Sequence, residues 1–188
     1  PFKGRDPRLE VNVLHDGETM YGTTIKVAPH KSSVNTGIGQ HGDATETGYY
    51  QQKWLDPAIN PSGDGWSMGK DEVIIRYAEV LLSYAEAMNE LNGPCAEAFD
   101  AVNQVRARVG MPPLQNSDPT KPTYCVDKSQ LRKRIKNEWR VEFCLEGDIR
   151  KWNLRRWGDS KELLNRKYWG MSYTIELNAD GSLKSFVP

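Results

Sequence analysis

The chain has 188 residues, which suits one domain or part of a larger one at the usual size of about 100 to 200 residues per domain. Its 25 basic and 25 acidic side chains cancel and form no long run of like charge, which argues against nucleic acid or an anionic membrane surface as a partner. No apolar stretch approaches the roughly 18 residues that span a bilayer, and the first residues resemble neither a translation start nor a signal peptide.

Residues 1–70 are interpreted as a hairpin followed by loops. Alternating apolar residues from Arg8 to Val27 predict a small antiparallel sheet that turns at Asp16-Gly17. Residues 29–48 are rich in glycine and polar side chains without periodicity, which is typical of a long exposed loop. A short extended piece at 49–55 and a second loop up to Gly69 complete this part.

Residues 71–113 have the pattern of two antiparallel helices. In the first helix the apolar residues recur at steps of three and four, which predicts one buried face. These residues are Ile74, Tyr77, Ala78, Leu81, Ala85, Met88 and Leu91. Gly93-Pro94 ends the first helix and begins the second, and Gly110 follows the second, so the short link makes the pair antiparallel.

The alternation of small and large side chains in this hairpin suggests close packing of the tetratricopeptide kind. The block 73–110 is similar in length to one such repeat of about 34 residues. The predicted fold is therefore mainly α, with tetratricopeptide-like helical hairpins of an α-α superhelix, small β-hairpins and long loops.

Residues 127–167 are predicted to form further helices, and residues 168–188 a β-hairpin that turns at Asp180-Gly181. Asp127 and Gln130 make a capping box at the start of the first of these helices. Gly147 is expected to end or kink it, before a shorter helix over 149–157 and a last one that ends near Lys167.

The helix that starts at Asp127 carries two carboxylates in its predicted buried stripe. Leu131, Ile135, Glu138, Glu142 and Leu145 share this stripe, and Trp139 and Phe143 lie on the neighbouring one. A pair of glutamates one turn apart could act as acid and base on a glycosidic bond. Catalytic carboxylates of glycosidases, however, flank the scissile bond from opposite sides of a cleft, about 5 to 10 Å apart.

Many arginines follow in the same region, and a carboxylate in a core is tolerated when a guanidinium pairs with it. We therefore predict a structural ion-pair network of Glu138 and Glu142 with Arg140, Arg155 and Arg156, and no catalytic residue. The three cysteines and three histidines have no metal-ligand spacing, so the sequence predicts neither a metal site nor a cofactor.

Several segments of the chain resemble the SusD/RagB family. The run from Ile75 to Glu90 resembles the signature helix of that family, the run from Val102 to Pro112 its following helix, and the run from Asn137 to Gly147 with 154–157 its last signature. Segments 6–9 and 49–57 occupy the expected order. Trp139 and Asn153 depart from the pattern, since many members have a basic residue and an aspartate there.

This resemblance implies a function and a setting for the protein. Residues 1–188 would be the C-terminal part of a single SusD-like domain whose larger N-terminal part lies outside this sequence. The parent would be a surface-exposed outer-membrane lipoprotein, attached to the membrane only through an N-terminal lipid anchor. It would bind oligosaccharide, or peptide in some relatives, without enzymatic activity, and would deliver it to a SusC-like TonB-dependent transporter.

Two other functions remain open at this point. The helical hairpin alone equally supports a tetratricopeptide scaffold that binds a protein or peptide, and a glycoside hydrolase that uses Glu138 and Glu142 is a third alternative. As a sugar platform the sequence offers Trp66, which stands among polar and flexible residues in a loop, although such a ring can also anchor the loop. Trp139, Trp152 and Trp157 are expected to pack in helices, and the direction of Trp169 stays open.

Overall fold

The structure is a computed structural model that describes residues 2–27, 44–56, 73–170 and 174–187. The chain forms two compact units. The helical unit comprises Arg5–Leu9 and Asp71–Ser160, and the sheet unit comprises Pro1–Gly4, Glu10–Lys70 and Lys161–Pro188. Within the described ranges, no helix is both long and apolar enough to cross a membrane.

The secondary structure is mainly helical, as the sequence predicts. The helices are α1 Arg8–Asn12, α2 Tyr77–Asn92, α3 Ala96–Arg108, α4 Lys128–Glu142, α5 Ile149–Arg156 and α6 Ser160–Leu164. The strands are β1 Val13–Leu14, β2 Thr19–Met20, β3 Thr23–Thr24, β4 Tyr50–Gln51, β5 Thr174–Leu177 and β6 Leu183–Val187.

The hairpin of α2 and α3 has the predicted link but a later start. Gly93 ends α2 with a φ of 73°, a left-handed conformation that suits glycine, and its N–H donates to the carbonyl of Asn89. Helix α2 begins at Tyr77 rather than near Val73, so Ile74 precedes the helix. The short link and the packing of α2 against α3 make the pair antiparallel, with α4 against α2.

The buried face of α2 differs from the predicted one. The sequence placed Ile74, Tyr77 and Leu91 toward the core, but their side chains are 84%, 68% and 78% exposed. The fully buried positions of α2 are Leu82, Ala85 and Asn89, and Ala78, Leu81 and Met88 pack against the same core. The prediction is therefore confirmed for Ala78, Leu81, Ala85 and Met88, and it is wrong for Ile74, Tyr77 and Leu91.

Helix α4 begins with the predicted capping box. The Asp127 carboxylate accepts a hydrogen bond of 2.8 Å from the Gln130 N–H, and the Gln130 side chain accepts one of 3.1 Å from the N–H of Val126. The helix ends at Glu142, before Gly147, because Leu145 adopts a left-handed φ of 60° and turns the chain. Leu145 is therefore exposed rather than part of the buried stripe.

The core of the helical unit lies between α2, α3 and α4. Its buried apolar side chains are Leu82, Ala85, Ala98, Phe99, Ala101, Val102, Val105, Leu114, Cys125, Leu131, Ile135, Trp139 and Phe143. The stripe of α4 is thus buried as predicted, and it brings two carboxylates into this core.

Among its described residues the sheet unit has three antiparallel pairs, β1 with β4, β2 with β3 and β5 with β6. The predicted turn at Asp16-Gly17 is wrong as the hairpin centre. Strands β2 and β3 instead join through Tyr21 and Gly22, whose φ values of 51° and 73° suit a two-residue type I′ turn. The core of this unit is formed by Leu14, Met20, Ile25 and Val27.

Residues 8–12 are also helical rather than extended. The Asp6 carboxylate accepts a hydrogen bond of 3.0 Å from the Arg8 N–H, and the Asp6 carbonyl accepts one from the N–H of Leu9. This N-terminal cap stabilises a short helix where alternation alone indicates a strand.

Candidate functional site

The two carboxylates of α4 are among the least accessible side chains of the helical unit. Glu138 is 1% exposed and Glu142 is 2% exposed. Both lie on the stripe that also buries Leu131 and Ile135, because steps of three and four residues place all four on one face of the helix. Charges at this depth need partners that remain charged.

Four arginines supply these partners. Glu138 lies 2.6 Å from Arg8 and 2.7 Å from Arg106. Glu142 lies 2.9 Å from Arg8, 2.5 Å from Arg76 and 2.9 Å from Arg108. One nitrogen of Arg8, Nη1, contacts both glutamates, so the two carboxylates share a cation from the other end of the chain. We call Glu138, Glu142 and these four arginines the buried ion network.

Two further carboxylates extend this network. Asp6 holds Arg8 through Oδ2, 2.6 Å from Nη2, and Glu146 lies 2.7 Å from Nη2 of Arg76. The Arg76 guanidinium also lies 4.1 Å above the centre of the Phe143 ring, and its Nη2 donates to the carbonyl of Glu142. Arg76 therefore meets a carboxylate, a carbonyl and an aromatic face at once, which fixes its orientation.

The predicted partners Arg140, Arg155 and Arg156 are wrong. Arg140 donates to the side chain of Asn137 on its own helix, at 3.2 Å. The Arg155 guanidinium lies 5.2 Å from the centre of the Trp152 ring, and Arg156 pairs with Glu86 of α2. Sequence proximity suggested these arginines, whereas the observed partners come from the first residue of α1, the residue before α2 and the end of α3.

The charges of this network oppose an acid or base role. Burial by itself would raise the pKa of Glu142, but hydrogen bonds from Arg76 and Arg8 and the charge of Arg108 lower it below the usual value. Burial would likewise lower the pKa of Arg8, but its contacts with Asp6, Glu138 and Glu142 raise it. A general acid of a glycosidase needs the opposite shift, a raised carboxyl pKa.

The tryptophans divide into packing residues and exposed ones. Trp139 is buried, and Trp157 donates from Nε1 to Glu86 at 2.8 Å while it packs on the core, as expected for both. Trp152 does not pack as predicted, because its side chain is 56% exposed with Lys151 and Arg155 beside the ring. Trp66, the predicted sugar platform, lies outside the described residues.

An exposed aromatic pair follows α6 in the sheet unit. Tyr168 is 62% exposed and Trp169 is 84% exposed, and the Tyr168 hydroxyl donates to the carbonyl of Leu163. A Cβ on Gly170 would lie 2.9 Å from the Cα of Thr47, so the backbone next to Trp169 is held against another segment. An exposed aromatic ring is suited to stack on a sugar ring. The Trp-Gly dipeptide was the available sequence signal, but it does not give the direction of the ring.

Among the described residues, no group of three or more His, Cys, Asp or Glu side chains is arranged to hold a metal ion. Glu138 and Glu142, which both contact Nη1 of Arg8, have arginines as their partners.

Known proteins similar to this chain share both its sequence motifs and its fold. The model of the SusD family matches residues 1–182. SusD-like protein P38 of Formosa agariphila is 34% identical over 106 residues, which are 56% of this chain and 20% of that protein. SusD-like protein P2 of the same organism is also 34% identical, over 105 residues, or 18% of its length.

Two solved structures from Bacteroides fragilis NCTC 9343 extend the match to most of the chain. A SusD-like carbohydrate binding protein superposes with a TM-score of 0.72 and 32% identity over 89% of this chain and 32% of that one. A second SusD-like protein superposes with a TM-score of 0.64 and 28% identity, over 86% of this chain and 29% of that one. The chain thus spans less than a third of the length of these relatives. With the family model matched along nearly all of its length, this chain belongs to the SusD family.

Proposed function

We propose that this protein is a non-enzymatic binding protein that captures oligosaccharide at the cell surface and delivers it to a SusC-like TonB-dependent transporter. The match of the SusD family model to residues 1–182 is the observation that carries this proposal. The likeness to a carbohydrate binding protein of Bacteroides fragilis supports oligosaccharide as the ligand class. On this proposal the parent protein is a lipoprotein of the outer membrane, held there by an N-terminal lipid anchor.

The buried ion network supports binding rather than catalysis. Glu138 and Glu142 project from one helix into a core, and arginines contact them at 2.5 to 2.9 Å. A substrate could reach these carboxylates only if the arginines were displaced and the core opened. Their role on this proposal is to stabilise the helical unit.

Ligand contact is assigned to exposed aromatic rings. Trp66 stays the candidate from the sequence, and the structure adds Trp169, whose ring is exposed and whose neighbour Gly170 lies close to the backbone of Thr47. A pyranose ring presents C–H groups that stack on an indole face, while its hydroxyl groups need polar neighbours. The ligand-binding part of this chain would therefore lie in the sheet unit.

Affinity electrophoresis tests this proposal directly. The protein is run through native gels cast with separate soluble polysaccharides, with a non-binding reference protein in the same gels. At least one polysaccharide should retard the wild-type protein, and Trp169→Ala should reduce this retardation. Trp152→Ala is the matched control, because this ring is also exposed but lies between two cations in the helical unit. Unretarded migration in every gel would contradict glycan binding by this chain.

A further inference from the structure

The segment that follows α6 carries two exposed cations beside the exposed aromatic pair. Arg166 and Lys167 directly precede Tyr168 and Trp169, and all four side chains are exposed. Three peptide units separate the Cα of Arg166 from the Cα of Trp169, so these two atoms are at most about 11 Å apart. A chain of sugars that stacks on the Trp169 ring can therefore also reach the cations.

These two cations have no carboxylate partner of their own. Among the described residues, neither Arg166 nor Lys167 forms an ion pair. Arg132 and Arg156 are also partly exposed, and each contacts a glutamate of α2. Residues 161–170 include three basic side chains and one acidic side chain, although the chain as a whole is neutral. The positive charge of this segment is therefore available to a ligand.

The Tyr168 ring positions the Arg166 guanidinium without consuming its hydrogen-bond donors. The guanidinium carbon lies 5.3 Å from the centre of the ring, and the Tyr168 hydroxyl donates to the carbonyl of Leu163 in α6. The face of an aromatic ring attracts a guanidinium electrostatically, whereas a carboxylate accepts its N–H groups. The N–H groups of Arg166 can therefore still donate in pairs to the oxygens of one anionic group.

We propose that residues 166–169 are a binding site for an anionic oligosaccharide, one that carries the carboxylates of uronic acids or sulfate esters. A sugar ring stacks on Trp169, and Arg166 and Lys167 contact the anionic groups of that sugar or of its neighbour. A neutral glycan on the same ring would remove water from the two cations without supplying an opposite charge. This inference rests on the proposed function, because it names the class of glycan that Trp169 contacts.

Affinity electrophoresis with two matched pairs of polysaccharides tests this inference. Dextran sulfate is compared with dextran, and polygalacturonate is compared with its methyl ester, so that each pair shares a backbone and differs in charge. At least one anionic member should retard the wild-type protein more strongly than its neutral partner does. Retardation by dextran sulfate alone would assign the site to sulfate esters, and retardation by polygalacturonate alone would assign it to carboxylates. Added NaCl should weaken the binding, because salt screens exposed charges.

Two variants and a matched control locate the binding on this segment. Arg166→Gln and Trp169→Ala should each weaken the affinity for the retarding polysaccharide about tenfold or more. Neither should change the melting temperature, because both side chains are exposed. Arg140→Gln is the control, since it removes the same charge from an exposed arginine of α4 and should change the affinity less than about twofold.

Retardation that is equal within each pair, or that only neutral polysaccharides cause, would overturn this inference and leave the proposed function in place. Equal losses of affinity for Arg166→Gln and Arg140→Gln would also overturn it, because the attraction would then come from the net charge of the protein. Unretarded migration with every polysaccharide, neutral or anionic, would overturn this inference together with the proposed function.

Discussion

Arg8 and Glu142 are 134 residues apart in the chain and meet through a hydrogen bond of 2.9 Å, with both side chains almost wholly buried. This contact joins the first residue of α1 to the last residue of α4. The same arginine nitrogen also contacts Glu138, so one guanidinium from the start of the chain contacts two carboxylates of the core. The helical unit therefore depends on residues 5–9 as well as on its own helices.

Burial should decide how much each arginine of the network contributes. Arg8 and Arg108 both lie 2.9 Å from Glu142, but their side chains are 5% and 59% exposed. Arg8→Ala should lower the free energy of unfolding by about 3 to 5 kcal/mol, because it leaves two buried carboxylates short of a partner. Arg108→Ala should lower it by no more than about 1 kcal/mol, because water replaces an exposed guanidinium. Urea unfolding of the two variants gives the comparison, and equal losses would contradict this account.

Glu138 and Glu142 should likewise contribute to the stability of the fold. Glu138→Gln or Glu142→Gln should each destabilise the protein by about 2 to 4 kcal/mol, because each removes one of the carboxylates that balance the buried charge of Arg8. Glu162→Gln, on the exposed side of α6, serves as the control and should change little. Thermal unfolding followed by circular dichroism measures all three. A Glu142→Gln variant as stable as the wild type would show that the network contributes nothing to stability.

Acid should weaken a second ion pair, on the surface between α2 and α4. A hydrogen bond from Arg132 lowers the pKa of Glu90 to about 2, against burial, which acts to raise it. Because the pKa of Glu90 is lower in the folded protein, the unfolded chain binds the proton at a higher pH than the folded protein does. The ion pair therefore contributes fully to the free energy of unfolding above a pH of about 4.5, and this contribution is lost as the pH falls through about 2. The lowered pKa of Glu142 acts in the same direction.

Glu90→Gln should therefore flatten the fall of melting temperature between these pH values. Its effect should be small, since the Glu90 side chain is 39% exposed and water screens the pair. Glu97→Gln, at an exposed position of α3, should leave the slope of the wild type unchanged. A Glu90→Gln profile with the same slope as the wild type would contradict the assigned pKa.

Substitution of Trp66 should show whether its ring is a sugar platform or an anchor of its loop. If its ring stacks on a sugar, Trp66→Ala should weaken binding of an oligosaccharide by about 1 to 3 kcal/mol with little change in melting temperature. Calorimetric titration and thermal unfolding of the same preparation separate the two outcomes. Unchanged affinity with a melting temperature lower by a few degrees would make Trp66 an anchor and leave Trp169 as the candidate platform.

Local signals in the sequence were sufficient for the fold class and for the carboxylate stripe. Helix ends at Gly93 and Asp127 follow from backbone preferences of neighbouring residues, and the burial of Glu138 and Glu142 follows from one helical period. These features depend on residues a few positions apart. They can therefore be read from the sequence without knowledge of the tertiary structure.

Features that depend on distant parts of the chain could not be predicted in this way. Arg8 pairs with Glu142 only because the chain returns to the core after more than a hundred residues, and no spacing in the sequence shows this. The exposure of Tyr77 and Leu91 on α2 could not be predicted either, because it depends on which segments cover the two ends of this helix. The exposure of Trp152 and Trp169 depends on which neighbouring segments cover them, and no local pattern of residues indicates this.

Product analysis after prolonged incubation with oligosaccharide tests the central claim, binding without turnover, most directly. The protein is incubated with the oligosaccharides of the polysaccharide that retards it in native gels, and the mixture is separated by anion-exchange chromatography. The account predicts a binding heat in calorimetry and the same oligosaccharide profile before and after incubation. Shorter oligosaccharides that accumulate with the wild type and are absent with Glu142→Gln would make the buried carboxylates catalytic and contradict the account.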